Sequence, residues 1–246
     1  MFFYLIIHRK KVKALIFSNL NGNIDVLKLM QKEKDFDAVF FLGGLIAGGI
    51  FPKITEGMKE IEIRKIIYDS MKQKTEDNTL QFKMILKELD KFKKKVYFIP
   101  GIFEPKNWKS MIRKCDNIEI FHKKRLLFSD SNILGLGGFV LPIEEELLKK
   151  CPFFSHDSES VKMFFSEHIS RELVVLTYDS LSFWIKDIIN KIEPCVWISG
   201  SDKKTNFEKR NMIKIADAEL GNYALFNFKT KKVEFKNVFQ RTLGKS

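Results

Sequence analysis

Ten short apolar runs constrain the fold of this chain more than any other feature. Runs of this length that end in turn-forming residues are typical of strands buried on both faces of a sheet. Most of them are only four to six residues long, which is too short for a helix that crosses a domain. The runs lie at residues 12–17, 37–42, 95–99, 118–121, 133–136, 173–177, 196–199, 212–216, 223–228 and 232–235.

Segments with helical periodicity lie between these runs. Asn23 is a good N-cap for a helix over residues 24–34. Residues 79–92 carry apolar side chains at i, i+3, i+4 and i+7, which predicts an amphipathic helix. Further helices are predicted at 56–72, 157–169 and 181–191.

The order of these elements predicts the fold class. Strand and helix alternate in the first half of the chain, whereas the last 35 residues contain consecutive strands. This order favours an α/β fold in which two mixed β-sheets are sandwiched together and flanked by helices. We expect residues 1–246 to form a single domain, with the charged segment 56–93 as a helical insertion.

The charge of the chain indicates which partners it favours. The net charge is +12, and residues 201–246 supply half of this excess. A basic surface favours nucleic acid or another polyanion. The alternative is a generally basic chain whose lysines are simply solvated.

The cysteines and the hydropathy pattern indicate where the protein is found. Cys115, Cys151 and Cys195 are far apart and form no C-x-x-C pair, which argues against a zinc knuckle or a disulfide framework. The apolar N-terminus is too short for a signal peptide, and no run approaches the roughly 20 apolar residues of a membrane span. We expect a soluble protein of the cytoplasm or nucleus, with no membrane partner.

Five of the apolar runs end in loops that follow one another in an informative order. Each loop begins at the carboxyl end of a predicted strand, where side chains of neighbouring parallel strands come together. The loops are 18–23 (SNLNGN), 43–49 (GGLIAGG), 100–104 (PGIFE), 178–179 (YD) and 200–203 (GSDK).

These loops resemble, in the same order, the motifs D-x-H-G-N, G-D-x-x-x-x-G, P-G-N-H-D/E, H and G-H-x-H of the calcineurin-like metallophosphoesterases. The resemblance covers about residues 12–236 and implies the four-layer sandwich of that family. Each loop keeps the frame of its motif but lacks the ligands. The substituted positions are Asn19, Asn21, Gly44, Ile102, Phe103, Tyr178, Ser201 and Lys203.

The substitutions matter because the two-metal mechanism needs charged and imidazole ligands around two divalent ions. Gly44, Ile102 and Phe103 have no donor for this purpose, and Lys203 would repel a cation. We therefore predict a pseudoenzyme with no catalytic residue, no metal and no cofactor. Glu104 and Asp179 remain beside the lost ligands, where they either cap their loops or hold one weak ion.

Within the family, the chain resembles the N-terminal domain of the splicing-linked, lariat-debranching-enzyme-associated branch. That resemblance directs attention to a basic loop at residues 201–211, which we expect at the former active-site mouth. Lysine and arginine would contact phosphates while Phe207 stacks on a base. Each basic cluster also has a plainer interpretation, as a solvated loop or a lysine-protected strand edge. The predicted RNA-binding residues are Lys203, Lys204, Phe207, Lys209, Arg210, Lys123, Lys124 and Arg125, and the run 93–95 is a further basic patch.

Three functions are compatible with this pattern. The first is a catalytically inactive protein that binds a ribonucleoprotein, either a ribosome, as a hibernation or dormancy factor, or an RNA-processing complex. The second is a protein–protein scaffold similar to the phosphoesterase-like subunit of retromer, with an apolar patch at Phe51, Ile54 and the helix 56–72. The third is a residual metal-dependent phosphodiesterase.

Overall fold

A computed structural model describes residues 12–46, 58–71, 78–105, 107–141, 155–170, 172–178, 183–200 and 205–243. Its strands are β1 (Lys13–Phe17), β2 (Ala38–Leu42), β3 (Val96–Ile99), β4 (Ile118–Ile120), β5 (Lys124–Phe128), β6 (Ser131–Leu136), β7 (Phe139–Leu141), β8 (Ser155–Asp157), β9 (Leu173–Thr177), β10 (Val196–Gly200), β11 (Phe207–Lys209), β12 (Met212–Ile215), β13 (Asn222–Asn227) and β14 (Lys232–Asn237). Its α-helices are α1 (Ile24–Met30), α2 (Glu60–Met71), α3 (Thr79–Leu89), α4 (Trp108–Ile112), α5 (Ser158–Ser166), α6 (Phe183–Ile192) and α7 (Val238–Leu243).

Two six-stranded sheets form the centre of the structure. The first sheet has the order β14-β13-β1-β2-β3-β4, and the second has the order β11-β12-β10-β9-β6-β5. Strands β1 to β4 are parallel, and β13 and β14 join them as an antiparallel hairpin. In the second sheet β6, β9, β10 and β12 are parallel, whereas β5 and β11 are antiparallel edge strands.

Alternation along the strands divides the apolar side chains between three layers. Ala14 and Ile16 of β1 face the second sheet, whereas Leu15 and Phe17 face the helices, because successive side chains of a strand point to opposite faces. Helices α1, α3 and α4 cover the outer face of the first sheet. Helices α5 and α6 cover the outer face of the second sheet. The predicted α/β fold, with two mixed β-sheets sandwiched together and flanked by helices, is therefore confirmed.

All ten predicted strands are present, but several shorter elements were not predicted. The missed strands are β5, β7, β8 and β11, and the missed helices are α4 and α7. The segment 56–93 contains α2 and α3, and α3 contributes Phe82, Ile85 and Leu89 to the core under the first sheet. That this segment is an insertion stays a prediction. No helix in the described ranges is long and apolar enough to cross a membrane.

Helix α1 ends at Met30, four residues before the predicted end, and the buried Glu33 explains why. The backbone N–H groups of Lys34 and Asp35 donate to its Oε1 at 3.0 and 3.3 Å, which turns the chain out of the helix. Its Oε2 accepts the Tyr223 hydroxyl at 3.0 Å and lies 3.6 Å from Nζ of Lys236. Burial opposes ionisation, but these donors outweigh it and lower the pKa of Glu33 to about 2.

Replacing Glu33 with glutamine is expected to lower the free energy of unfolding by about 2 kcal/mol near pH 7. The native pKa lies below the ordinary value of 4.5, so the carboxylate stabilises the fold above that pH and loses its contribution as the pH falls towards about 2. Urea denaturation near pH 7 and near pH 3 should show a difference from the wild type that shrinks in acid. Glu208→Gln, at an exposed position, is the control. An equal difference at both pH values would contradict this role.

Candidate functional site

The carboxyl ends of the parallel strands of both sheets meet at one end of the molecule. There the sheets approach so closely that a Cβ placed on Gly200, at the end of β10, would lie 2.9 Å from Cβ of Ser18, which follows β1. At the end of β2, a Cβ on Gly43 would lie 2.5 Å from the ring of Tyr178, which follows β9. We call residues 18–23, 43–46, 100–104, 178 and 217–220 the loop cluster.

Asn19 and Asn21, at the first two positions where the resemblance implies a metal ligand, are held by carboxylates of residues close to the other end of the chain. Nδ2 of Asn19 donates to Oδ1 of Asp217 at 2.7 Å, and Nδ2 of Asn21 donates to Oε2 of Glu219 at 2.9 Å. The backbone supports the same contact, since the N–H of Glu219 donates to the Asn19 carbonyl at 3.1 Å. Both asparagines have a left-handed backbone, with φ of 52° and 47°, which asparagine adopts more readily than most residues.

Gly44 is linked to the conformation of Asn19. It stands where the resemblance implies a bridging aspartate, and its φ is 74°. Any Cβ at this position would clash with Oδ1 of Asn19. An aspartate at position 44 and the observed position of the Asn19 side chain therefore exclude one another.

Ile102 and Phe103 bring apolar side chains to the third loop, Ile102 being buried and Phe103 half-buried. The next residue, Glu104, is only 8% exposed, and neither carboxylate oxygen has a partner at hydrogen-bonding geometry in the described ranges. Burial raises the pKa of Glu104 to about 7, while nearby N–H groups of Gly101 and of Glu104 itself oppose the shift. The carboxyl group is thus buried at the junction of the second and third loops, close to the N–H groups of Gly44 and Gly101.

The buried Glu104 gives the protein a defined pH dependence. The native pKa of Glu104 is about 7, whereas its ordinary value is 4.5. Between these two pH values the native state keeps the carboxyl proton that the unfolded state has lost. The free energy of unfolding of the wild type therefore falls as the pH rises from 4.5 to about 7. Relative to the wild type, Glu104→Gln is expected to gain about 3 kcal/mol in the free energy of unfolding between pH 4.5 and pH 7, and nothing more above pH 7. Denaturation curves across this range measure the difference. A variant whose difference from the wild type did not change with pH would rule out the shifted carboxyl group.

Of the remaining predicted ligand positions, the structure describes Tyr178 but not Ser201 or Lys203. Tyr178 is half-buried, and its N–H donates to the Leu136 carbonyl at 3.1 Å. Ser201, Lys203 and Lys204 lie outside the described residues, as does Asp179.

Two histidines that no sequence motif connects lie together beside the third loop. The rings of His122 and His156 stack with centroids 4.7 Å apart, and Nδ1 of His122 accepts the N–H of Gly137 at 3.0 Å. Burial, followed by the charge of Lys123, lowers the pKa of His156 to about 3. Burial and the neighbouring His156 also lower the pKa of His122 well below its ordinary value. Both rings are therefore neutral near pH 7 and packed against one another, and His122 accepts a backbone hydrogen bond.

Residues 205–211 of the predicted RNA-binding loop 201–211 are described, and RNA binding by this loop stays a prediction. Residues 207–209 form β11, which pairs antiparallel with β12 and places Phe207 opposite Lys214. Phe207 is 42% exposed and lies at the end of the strand nearer the loop cluster. Lys209 and Arg210 lie at the other end, in the turn before β12, because the antiparallel direction of β11 carries them away from the cluster.

The second predicted basic group, Lys123, Lys124 and Arg125, lies on the opposite edge of the same sheet. Five inter-strand spacings separate the edge strands β5 and β11 of this six-stranded sheet, which corresponds to roughly 24 Å. These side chains have neighbours within the protein. Nζ of Lys123 donates to Ser160 at 3.0 Å, Lys124 lies 3.4 Å from Glu119, and Nε of Arg125 donates to Asn132 at 2.8 Å. The two predicted groups therefore do not form one surface.

The described donors of the loop cluster do not suit a two-metal centre. The side-chain N–H groups of Asn19 and Asn21 are directed at the carboxylates that could otherwise face a cation. In the ranges that the structure describes, no three His, Cys, Asp or Glu side chains are grouped so that they could hold a metal ion. We derive no step through a metal at this position.

Comparisons with known proteins agree on the fold. No protein-family profile matches the chain, and no curated protein sequence matches it. One crystal structure superposes with a TM-score of 0.69 at 17% identity, over 93% of this chain and 99% of the other. The crystal structure of TT1561 of Thermus thermophilus superposes with a TM-score of 0.67 at 13% identity, over 93% of this chain and 100% of the other. Likeness at these identities shows a shared fold and nothing about activity.

Proposed function

We propose that this chain is a phosphoesterase-fold protein without catalytic activity that binds RNA or a ribonucleoprotein through a basic surface. One observation carries the proposal. The polar groups at the first loop are used inside the protein, where Asn19 and Asn21 bind Asp217 and Glu219. These hydrogen bonds connect the loop after β1 to the segment before β13, so the cluster is held together by amide–carboxylate contacts.

The charge of the chain supports the choice of an anionic partner. A net charge of +12 gives a long-range attraction to polyanions that increases the rate of encounter. Polyphosphate chains such as RNA fit this property better than a basic or neutral partner does. The proposal has two forms. In the first, the partner is a ribosome, which the protein binds as a dormancy-type factor. In the second, the partner is an RNA-processing complex, as the resemblance to the splicing-linked branch suggests.

A scaffold function is the second candidate, because apolar side chains are exposed on two helices. Ile61 of α2 is 74% exposed, and Leu80 and Met84 of α3 are also exposed. Ile61 belongs to the segment that the sequence indicated for a protein partner, whereas Phe51 and Ile54 lie outside the described residues.

Affinity purification of the full chain from a native lysate of its own cells, with and without nuclease, tests the proposal. We expect RNA in the eluate and the loss of co-purifying proteins after nuclease treatment. A stoichiometric protein partner that survives nuclease, with no RNA recovered, would replace the proposal with the scaffold function.

A manganese-dependent assay on a chromogenic phosphodiester tests the third function. We expect no turnover above that of a heat-denatured sample. Turnover that requires manganese and is lost in Glu104→Gln would show a residual phosphodiesterase and overturn the proposed lack of catalytic activity.

A further inference from the structure

Helix α3 presents a basic outer face. Its apolar residues Phe82, Ile85 and Leu89 are buried against the first sheet, so the side chains between them point outwards. Lys83 and Lys87 lie one helical turn apart on that exposed face. The sequence showed the amphipathic helix but did not connect its lysines with the basic run that follows it.

The basic face continues beyond the helix onto two connected segments. Lys93 and Lys94, between α3 and β3, are exposed. Arg113 and Lys114, which follow α4, are exposed as well. Asn117 joins the segments, since its Nδ2 donates to the Lys94 carbonyl at 2.7 Å. We call Lys83, Lys87, Lys93, Lys94, Arg113 and Lys114 the α3 basic face.

Two carboxylates near this face, those of Glu88 and Asp90, are occupied elsewhere, whereas Asp116 is exposed beside Lys114. Glu88 is buried and pairs with Lys91, whose Nζ lies 2.6 Å from its Oε2. The Asp90 carboxylate accepts the backbone N–H groups of Asn117 at 2.8 Å and Asp116 at 3.3 Å. None of the six basic side chains makes an ion pair within the described part of the chain. Their positive charges therefore act outwards.

Local structural roles do not account for this arrangement. Lys87 lies in the last turn of α3, where it complements the negative end of the helix dipole. The same argument applies to Arg113, which is the C-cap of α4, but not to Lys93 or Lys94, which lie beyond Asp90, the C-cap of α3. Lysines can also protect the exposed edge of a sheet, but this role does not apply to Lys83, which lies on a helix.

We infer that the α3 basic face binds the phosphate backbone of RNA without sequence specificity. This inference rests on the proposed function and assigns it a surface on the helical side of the first sheet, which begins beside the loop cluster, where Gln81 of α3 lies against Gly22. Five of the six residues are lysines, which bind phosphate as point charges and do not select bases. With no aromatic side chain among the six, base stacking adds no preference.

A membrane surface and an acidic protein fit this face less well than RNA does. Helices that lie on membranes insert a broad apolar face, but the broad apolar face of α3 is buried in the core and only Leu80 and Met84 are exposed beside the lysines. Protein interfaces depend on aromatic and arginine anchors at their centre. The α3 basic face has a single arginine, Arg113, at its margin.

Fluorescence anisotropy of the full chain with a labelled single-stranded oligouridine, measured over a range of salt concentrations, tests the inference. The triple variant Lys83→Gln, Lys87→Gln and Lys94→Gln should reduce the slope of log K against log salt by about 2 and weaken binding about 100-fold near 0.1 M salt. The matched control neutralises Lys123, Lys124 and Arg125 on the other sheet, and it should keep the wild-type slope. Equal melting temperatures confirm that both variants fold.

The outcomes separate the inference from the proposed function. If the triple variant binds RNA like the wild type while the control variant loses affinity, the inference is wrong and the proposed function stands. If the wild type binds no RNA even at low salt, both fall. Binding to phosphatidylserine vesicles that the triple variant loses, without any effect on RNA, would also overturn the inference.

Discussion

Replacing Phe40 with alanine is expected to lower the free energy of unfolding by about 4 kcal/mol, the largest effect that we predict for a single substitution. Phe40 is fully buried between the two sheets. Its ring centroid lies 4.9 Å from that of Tyr97 in its own sheet, 6.1 Å from that of Phe128 in the second sheet and 5.9 Å from that of Phe228. Truncation would open a cavity that rigid strands on both sides cannot close.

Urea denaturation measures this effect, and Phe239→Ala is the matched control. Phe239 is 46% exposed on α7, so its truncation should cost less than about 1 kcal/mol. If both substitutions cost the same, the inter-sheet core does not depend on Phe40 in the way that the contacts indicate.

Replacing Asn19 with aspartate is expected to cost about 3 kcal/mol near pH 7. The change removes the amide donor and brings a second carboxylate to Asp217, whose Oδ1 lies 2.7 Å from Nδ2 of Asn19. Asn19 is buried, so water cannot screen the repulsion well. The left-handed backbone is not the cause, because aspartate tolerates it about as well as asparagine.

The reciprocal swap separates this contact from other effects of the substitution. In Asn19→Asp combined with Asp217→Asn, the donor and acceptor exchange places, and the stability should recover by more than half. Urea denaturation of the wild type, the two single variants and the double variant gives the coupling energy. If the free-energy cost of the double variant equalled the sum of the costs of the two single variants, the two side chains would not stabilise one another.

The strands could be predicted from sequence because burial on both faces imposes an apolar run that is visible locally. The missed strands lack that signal. β5 (KRLLF) is an edge strand with exposed Lys124 and Arg125, and it is a strand because it pairs with β6. β11 is exposed at all three residues. Pairing with a distant strand is a tertiary property that periodicity does not record.

The loop cluster could be located from sequence, but not its contacts. Parallel strands bring their carboxyl ends together, which places Asn19 and Gly44 side by side without further information. Asp217 and Glu219 could not be predicted as partners, since each lies 198 residues from its asparagine and follows a strand with no motif of its own. The direction of β11, which moves Arg210 to the far end of the sheet, depends on register and not on composition.

The basic surfaces could also be predicted from sequence only in part. The run 93–95 is obvious in the sequence, whereas Lys83 and Lys87 join it only when α3 is seen to bury its other face. Arg113 and Lys114 join it through the Asn117 hydrogen bonds, which no local pattern reveals. The number of lysines predicts a polyanion partner, whereas the fold is needed to propose which face of the protein binds that partner.

The salt dependence of RNA binding by the purified wild-type chain tests the central proposal most directly. Six phosphate contacts predict a slope of log K against log salt of about −4 for single-stranded RNA, with affinity at low salt and little at high salt. Binding that is absent at low salt, or that does not change with salt, would contradict the proposal that this protein binds RNA.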